Sequence, residues 1–162
     1  EEEAEKWTKA LVANLARKPE GNDRAQVKAI HEGVCDLAII NTYYFGKMKF
    51  NNKDTEQKEW AKAINLIFTN QNDRGNHINV AGGGVTKYSK NKANAIALLE
   101  FLTQPKAQEL YAKMNYEYPV NPSTEISAEL FTWGEFKEDK LAVEKLAELA
   151  PLAQKIIDRT GW

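Results

Sequence analysis

Apolar residues recur at helical spacing along much of the chain, and this pattern predicts several helices. The opening stretch, EEEAEKWTKALVANLA, is amphipathic and predicts a helix that continues to about Arg17 and ends at Pro19. Asp23, with a glutamine three residues later, resembles the capping box of a second helix over 24–32, which Gly33 ends. Further helices are predicted from Ser89 or Asn91 to Leu102, and then over 106–114, 140–150 and 151–159.

Three shorter stretches have features of β-strands. The apolar run after the second helix predicts a strand over 36–43, so that helix and strand form an αβ unit. Residues 77–81, HINVA, alternate between polar and apolar side chains and predict another strand. The stretch AINLIF, which lies between polar loops, fits either a strand or a short helix. Because helices dominate and the strands are short and separated, the pattern favours an α/β fold over a β-sandwich.

Composition and charge exclude several classes of partner without changing this picture. Lys and Arg total 22 and Asp and Glu total 23, which gives a net charge of −1. Such a balance provides no basic surface for nucleic acid or for an anionic membrane. No apolar run approaches the roughly 20 residues of a membrane-spanning helix, so we expect no membrane span. The single cysteine, Cys35, excludes an internal disulfide and is more typical of a buried structural thiol.

The chain contains no recognised catalytic motif. There is no HExxH, no Walker phosphate loop and no GxSxG elbow, and the triple glycine at 82–84 lacks the GxGxxG spacing. His31, at the end of the second predicted helix, is more typical of a helix-capping or surface histidine than of a metal ligand. His77, at the start of a predicted strand, has the same interpretation. We therefore expect no catalytic residues.

The stretch NTYYFGK places two phenols side by side after the apolar run. On a strand, Tyr43 and Tyr44 would point to opposite faces, and one ring packed in the core would explain the pair. Alternatively, Gly46 releases the chain from strand geometry, and both phenols converge at the carboxyl end of the strand, where α/β proteins bind ligands. Polar residues that could flank the phenols are Asn41, Arg24 and Lys47.

A pair of converging phenols suits a hard, highly charged cation. A phenol normally loses its proton near pH 10, so a ligand at neutral pH must be a strong Lewis acid that displaces the proton. Ferric iron is such an acid, and it is best matched by charged oxygen ligands. Two phenolates neutralise much of its charge. If both rings face one ligand, the pair therefore predicts Fe(III).

Three stretches resemble one known family: GVCDLAIINTYYFGKM, HINVAGGGVTKYSKNKANAIALLEFLTQPKAQELYAKMNYEYPV and the closing DRTGW. They are similar to the bacterial periplasmic ferric iron-binding proteins, the solute-binding components of iron(III) ABC transporters, and look closest to the cyanobacterial type. The resemblance runs through nearly all 162 residues. It implies an α/β, type II periplasmic-binding-protein-like fold, in which a transferrin-like two-lobed clamp holds iron between its lobes. This chain would be the C-terminal portion of that clamp.

The resemblance also implies a site and a role. Tyr43 and Tyr44 match the family's paired tyrosinate ligands for Fe(III), and Asn41 matches a residue that lines the site. Arg24 and Lys47 match more weakly, as site-lining or anion-binding residues. The implied partners are Fe(III) with an anion such as carbonate or citrate, an ABC-transporter permease, and the N-terminal half as a separate or cleaved chain that supplies further ligands. The implied role is non-enzymatic: capture of Fe(III) in the periplasm and delivery to the permease.

The same resemblance divides the chain into three segments. Residues 1–74 are expected in the tyrosine-bearing lobe, 75–122 in the other lobe, and 123–162 in C-terminal helices that return to the first. The chain opens inside its first predicted helix, without an initiator methionine, so we expect an N-terminal part to precede it. Two alternatives remain open: a protein of the same fold that binds an organic or oxyanion solute, and an α/β hydrolytic enzyme.

Overall fold

The computed structural model describes all 162 residues, and helices supply nearly all of the regular structure. A π-helical turn, Tyr111–Asn115, follows the sixth helix directly. No helix is both long enough and apolar enough to cross a membrane. In chain order the α-helices are α1 (Glu2–Ala13), α2 (Asp23–His31), α3 (Thr42–Lys49), α4 (Glu56–Lys62), α5 (Lys92–Leu102), α6 (Pro105–Leu110), α7 (Ala128–Thr132) and α8 (Val143–Thr160).

Local signals explain where several helices begin and end. Asn22 caps α2, because its side chain accepts hydrogen bonds from two backbone N–H groups of the first turn. The capping residue predicted at Asp23 is therefore wrong by one position, since Asp23 is already helical. Pro105 occupies the first turn of α6, where its missing N–H removes no helical hydrogen bond, as predicted. Gly161 ends α8 with a φ of 76°, which is also as predicted.

The C-terminal helix differs from the prediction. The sequence predicts two helices, over 140–150 and 151–159, whereas the structure has the single helix α8, which continues through Pro151. A proline inside a helix removes the hydrogen bond to the carbonyl four residues earlier, here that of Ala147. Because Ala147 is exposed, water can satisfy this carbonyl and the helix continues.

The predicted strands do not form, and their absence has one cause. The only β-pairing is an isolated parallel bridge between Asn76 and Glu138. The segment predicted as a strand over 36–43 enters α3 at Thr42, and neither 63–68 nor 77–81 has regular secondary structure. A strand needs a neighbour to pair with its N–H and C=O groups, and no segment of this chain pairs with these three.

The best-packed part of the chain is formed by α2, α3 and α4. Val27, Met48 and Ala61, one from each helix, are buried against one another. This small core fixes α3, the helix that contains most of NTYYFGK, against its two neighbours. Partly buried residues that pack around the core are Ile40, Tyr44, Phe45, Trp60 and Ile64.

Packing elsewhere is looser. Helices α1 and α8 lie against each other, with Trp7 stacked on Trp162 at 6.4 Å between ring centroids. Arg159 of α8 forms ion pairs of 2.8 Å with Glu1 and with Glu5. Helix α5 has no buried residue. Only 14 of the 162 residues are buried in total, so the α2–α3–α4 core is the main apolar cluster that this chain encloses by itself.

Candidate metal centre

A helix, and not the end of a strand, presents the two phenols. Tyr43 and Tyr44 lie in the first turn of α3, immediately after Asn41 and Thr42. Their rings stack with centroids 4.4 Å apart and planes inclined by 29°. Successive residues of a helix differ in direction by about 100°, whereas those of a strand differ by about 180°, so the helical start allows both rings to lie side by side. The predicted convergence of the phenols is present, but its predicted cause is wrong.

Gly46 has a different role from the one predicted. It does not release the chain from a strand, because it lies inside α3 and is buried there. A Cβ atom at this position would lie 2.3 Å from Cγ of Tyr116. The Tyr116 ring therefore occupies the space that any larger residue would need, and it also stacks on Phe50 at 5.6 Å. Gly46 thus lets the segment after the π-helical turn pack directly on the phenol-bearing helix.

Each phenol ring has a cation against its face. The guanidinium carbon of Arg24 lies 4.8 Å from the centroid of the Tyr44 ring. The ammonium of Lys47, one turn along α3, lies 4.8 Å from the centroid of the Tyr43 ring. Contacts of this kind attract the cation to the electron-rich ring face. The structure therefore brings both predicted basic residues to the phenols, in the order Arg24, Tyr44, Tyr43, Lys47.

Asn41 connects three parts of the chain at the start of α3. Its backbone N–H and its side-chain Nδ2 both donate to Oδ1 of Asp23, at 2.7 and 3.1 Å. Its Oδ1 accepts a hydrogen bond of 2.8 Å from Nδ2 of Asn79, in the predicted second strand. Its side chain makes no capping hydrogen bond to α3. The predicted site-lining residue is therefore held beside the phenol-bearing turn by residues distant in the sequence.

The surroundings of Tyr43 raise the pKa of its phenol, so that its proton is harder to remove. Hydrogen bonding with the Tyr44 phenol, and then burial, raise the pKa of Tyr43 to about 12. Negative charge on Tyr44, Asp23 and Glu117 adds to this increase. A ligand that binds the phenolate must therefore compete strongly with the proton, as a hard multivalent cation does.

Several residues around the phenols were not predicted. Asp23 and Asn79 hold Asn41, Gln57 accepts a hydrogen bond from Arg24, and Tyr116 packs on Gly46. No local pattern marks these residues, because each contact joins positions far apart in the sequence. Tyr116 lies within the NYEYPV stretch that carries the family resemblance, and that was the one available signal.

Other chemically reactive side chains do not form a competing centre. No group of three or more His, Cys, Asp or Glu residues is placed to hold a metal ion. His31 is exposed in the last turn of α2, and His77 is exposed as well. Cys35 is free and half-buried, so it is less enclosed than the buried thiol that the sequence predicts. The two stacked phenols therefore have no rival site made of His, Cys, Asp or Glu side chains in this chain.

Comparison with known proteins gives a consistent result. Residues 2–109 match the family described as bacterial extracellular solute-binding protein. Iron uptake protein A1 of Synechocystis is 40% identical over 162 residues, which are 100% of this chain and 45% of that protein. The major ferric iron-binding protein of Neisseria meningitidis is 31% identical over 117 residues, which are 72% of this chain and 33% of that protein. The chain spans about half the length, or less, of the curated relatives that it matches.

Solved structures of similar proteins have the same fold over this half. A ferric binding protein from Campylobacter jejuni superposes with a TM-score of 0.94 at 39% identity, and the match covers 99% of this chain and 51% of that one. A Trichodesmium protein, solved in complex with iron and citrate ligands, gives a TM-score of 0.93 at 42% identity, with the same coverages of 99% and 51%. The predicted type II periplasmic-binding fold is therefore confirmed for this portion, even though the predicted strands do not form within it.

The relatives also bear on the predicted class of function. They are solute-binding and iron-uptake proteins, and not enzymes. The prediction of a non-enzymatic binding protein is confirmed, and the hydrolytic alternative is set aside.

Proposed function

This chain belongs to the bacterial extracellular solute-binding proteins, and we propose that its solute is ferric iron, bound by the phenolates of Tyr43 and Tyr44. The observation that carries the proposal is the stacking of these two phenols in the first turn of α3, with their ring centroids 4.4 Å apart. Charged oxygen atoms suit a hard trivalent ion, and the positive end of the helix dipole favours negative charge in that turn. The names of the relatives, ferric-binding and iron-uptake proteins, support this choice of metal.

Two phenolates leave much of the coordination of Fe(III) to other groups. Asn41, Arg24 and Lys47 line the site, and the two cations attract an anion such as carbonate or citrate that binds together with the metal. The Trichodesmium relative, solved with iron and citrate, supports an accompanying anion. The remaining protein ligands come from the N-terminal half of the fold, which this chain does not contain, either in the same polypeptide or as a separate or cleaved chain.

The proposed mechanism is closure of a two-lobed clamp over the metal in the periplasm, followed by delivery to an ABC-transporter permease. In this proposal residues 1–74 form the tyrosine-bearing lobe, 75–122 the other lobe, and 123–162 helices that return to the first, and Tyr116 packs on α3 where the two lobes meet. The packing of α8 on α1 supports the return of the C-terminal helices. The hydrogen bond from Asn79 to Asn41 supports a crossing between lobes next to the phenols.

The proposal is tested by adding ferric citrate to the full-length protein and recording visible absorption. Phenolate bound to Fe(III) produces a charge-transfer band, so we expect the protein to become coloured. Tyr43→Phe and Tyr44→Phe should each weaken the band and the binding, and the double variant should abolish both. Tyr88→Phe is the control, because Tyr88 is 86% exposed and its ring stacks on neither phenol. A colourless protein, or a band unchanged in the double variant, would contradict the proposal.

An anionic organic solute is the second candidate, and the two cations on the phenol rings favour it. Of the guanidinium nitrogens of Arg24, Nε alone donates a hydrogen bond within the protein, so the others can bind a carboxylate. Calorimetry with citrate alone distinguishes the two candidates. Tight binding of iron-free citrate that ferric iron does not strengthen would favour the organic solute, whereas binding that requires Fe(III) would favour the metal.

A further inference from the structure

Arg24 is held against Tyr44 from the neighbouring helix α4. A free arginine side chain has many rotamers, so a fixed position over one ring face needs a second contact. Nε of Arg24 donates a hydrogen bond of 3.1 Å to Oε1 of Gln57, which lies 33 residues later in α4. Gln57 therefore determines where the guanidinium group lies.

Gln57 is itself held in one orientation by the turn before α4. Its Nε2 donates to Oδ2 of Asp54 at 2.7 Å, and its Oε1 also accepts a hydrogen bond from Nδ2 of Asn51 at 3.1 Å. The Asn51 side chain in turn accepts a hydrogen bond of 3.0 Å from the backbone N–H of Asp54. With its amide fixed at both ends, Gln57 can direct only its oxygen toward Arg24.

The cation on the other phenol has no comparable support. Lys47 lies 4.8 Å from the Tyr43 ring centroid, the same distance as Arg24 from Tyr44, but its ammonium makes no hydrogen bond and no ion pair within the protein. The two phenols therefore differ. Tyr44 lies against a cation that a hydrogen-bond network fixes, whereas Tyr43 lies against a cation that can move away.

We propose that Gln57 is a positioning residue for metal capture: through Arg24 it fixes the Tyr44 ring before the metal arrives. The role rests on the proposed function, since it concerns the same two phenols. Outer groups that orient metal ligands commonly change affinity by about 10- to 100-fold when they are removed, because the ligand must then be ordered during binding.

The test uses Gln57→Met in the full-length protein, which keeps the length of the side chain and removes its hydrogen bonds. The matched control is Lys58→Met, the next residue of α4, whose ammonium bonds to Asn52 and not to Arg24. In the iron-free protein, NMR should detect proximity between the Arg24 Nε–H and the Tyr44 ring in the parent and in the control. We expect this signal to be lost in Gln57→Met.

In the same variants, ferric citrate titration should give about tenfold weaker binding and a shifted charge-transfer band for Gln57→Met, with no change for Lys58→Met. In an Arg24→Met background, Gln57→Met should have no further effect, because its action passes through Arg24. Unchanged affinity and band in Gln57→Met, or an effect that persists without Arg24, would overturn the positioning role while leaving the iron proposal intact. A colourless parent protein would instead overturn the proposed function and the positioning role together.

Discussion

Two regions of this chain use their apolar side chains in opposite ways. Helices α2, α3 and α4 bury Val27, Met48 and Ala61 against one another and hold the phenols on a fixed framework. Helix α5 is rich in apolar residues but buries none; Leu98 and Phe101, for example, are 56% and 48% exposed. A helix that is apolar on most sides is normally enclosed by protein. The candidate site therefore lies on the part of the chain that packs by itself, and we expect the other half of the fold to cover α5.

The change in stability that we expect to be greatest is found by comparing one apolar residue from each region. Met48 is fully buried, so Met48→Ala should lower the free energy of unfolding of this chain by about 2–5 kcal/mol through lost contacts and a cavity. Leu98→Ala in α5 should change it by no more than about 0.5 kcal/mol, because the side chain already contacts water. Urea unfolding of the 162-residue chain measures both values. Equal losses would show that the two regions do not differ as the structure indicates.

Two glycines differ in the space around their backbones in the same way as the two regions. Gly46→Ala should lower the free energy of unfolding by about 1–3 kcal/mol, since its Cβ would lie 2.3 Å from Cγ of the Tyr116 ring. Gly82→Ala is the matched change in the loosely packed region, where nothing lies within 4 Å of an added Cβ, and it should be nearly neutral. Thermal unfolding of the two variants distinguishes them. A neutral Gly46→Ala would contradict the proposed packing of Tyr116 on α3.

Iron affinity should depend on pH through the site phenol. In the proposed site the metal binds the Tyr43 phenolate, and hydrogen bonding with Tyr44 raises the pKa of Tyr43 to about 12. Each Fe(III) that binds therefore displaces this proton at every pH below about 12, and affinity should fall about tenfold for each unit of acidification per proton released. Competition titrations of ferric iron between pH 6 and 8 measure how log affinity changes with pH. We expect a slope that corresponds to the release of about one proton or more per iron bound. An affinity independent of pH would argue against phenolate ligands.

Tyr118 is a second tyrosine whose pKa is raised, and of the substitutions expected to alter stability, its replacement should have the least effect. Burial alone raises the pKa of Tyr118 to about 12, and its buried Oη has no hydrogen-bond partner. The folded state holds this proton more tightly than the unfolded chain does, so stability is complete below about pH 10 and declines as the pH rises toward 12. Tyr118→Phe should change stability at neutral pH by less than about 1 kcal/mol and reduce the alkaline decline. An unchanged alkaline decline, measured by urea unfolding across that range, would show that Tyr118 does not contribute to it.

The sequence predicts the helices of this chain better than its strands, for a physical reason. Helix ends depend on nearby residues, such as Pro105 at the start of α6 and Gly161 at the end of α8, so local sequence is sufficient. Strands depend on a neighbour, and residues 36–41 and 77–81 have none within this chain. Their alternating or apolar patterns are present, but the partner that would turn them into a sheet is not.

The sequence predicted which residues lie around the phenols, but not how the chain arranges them. The chemistry of adjacent phenols led to Tyr43 and Tyr44, with Arg24 and Lys47 as polar residues that could flank them, and the structure places these two cations on the two rings. The helical start that brings the phenols together was missed, because the apolar run before Asn41 has the composition of a strand. Gln57 was missed as well, because its contact with Arg24 spans 33 residues and leaves no local pattern.

Whether Tyr43 and Tyr44 bind iron is tested most directly by a crystal structure of the full-length protein loaded with ferric iron, with anomalous scattering recorded at the iron absorption edge. We expect one strong anomalous peak within bonding distance of both Tyr43 Oη and Tyr44 Oη, with Arg24 still hydrogen-bonded to Gln57. A peak bonded to neither phenol, or no peak in a protein that still binds its solute, would contradict this expectation.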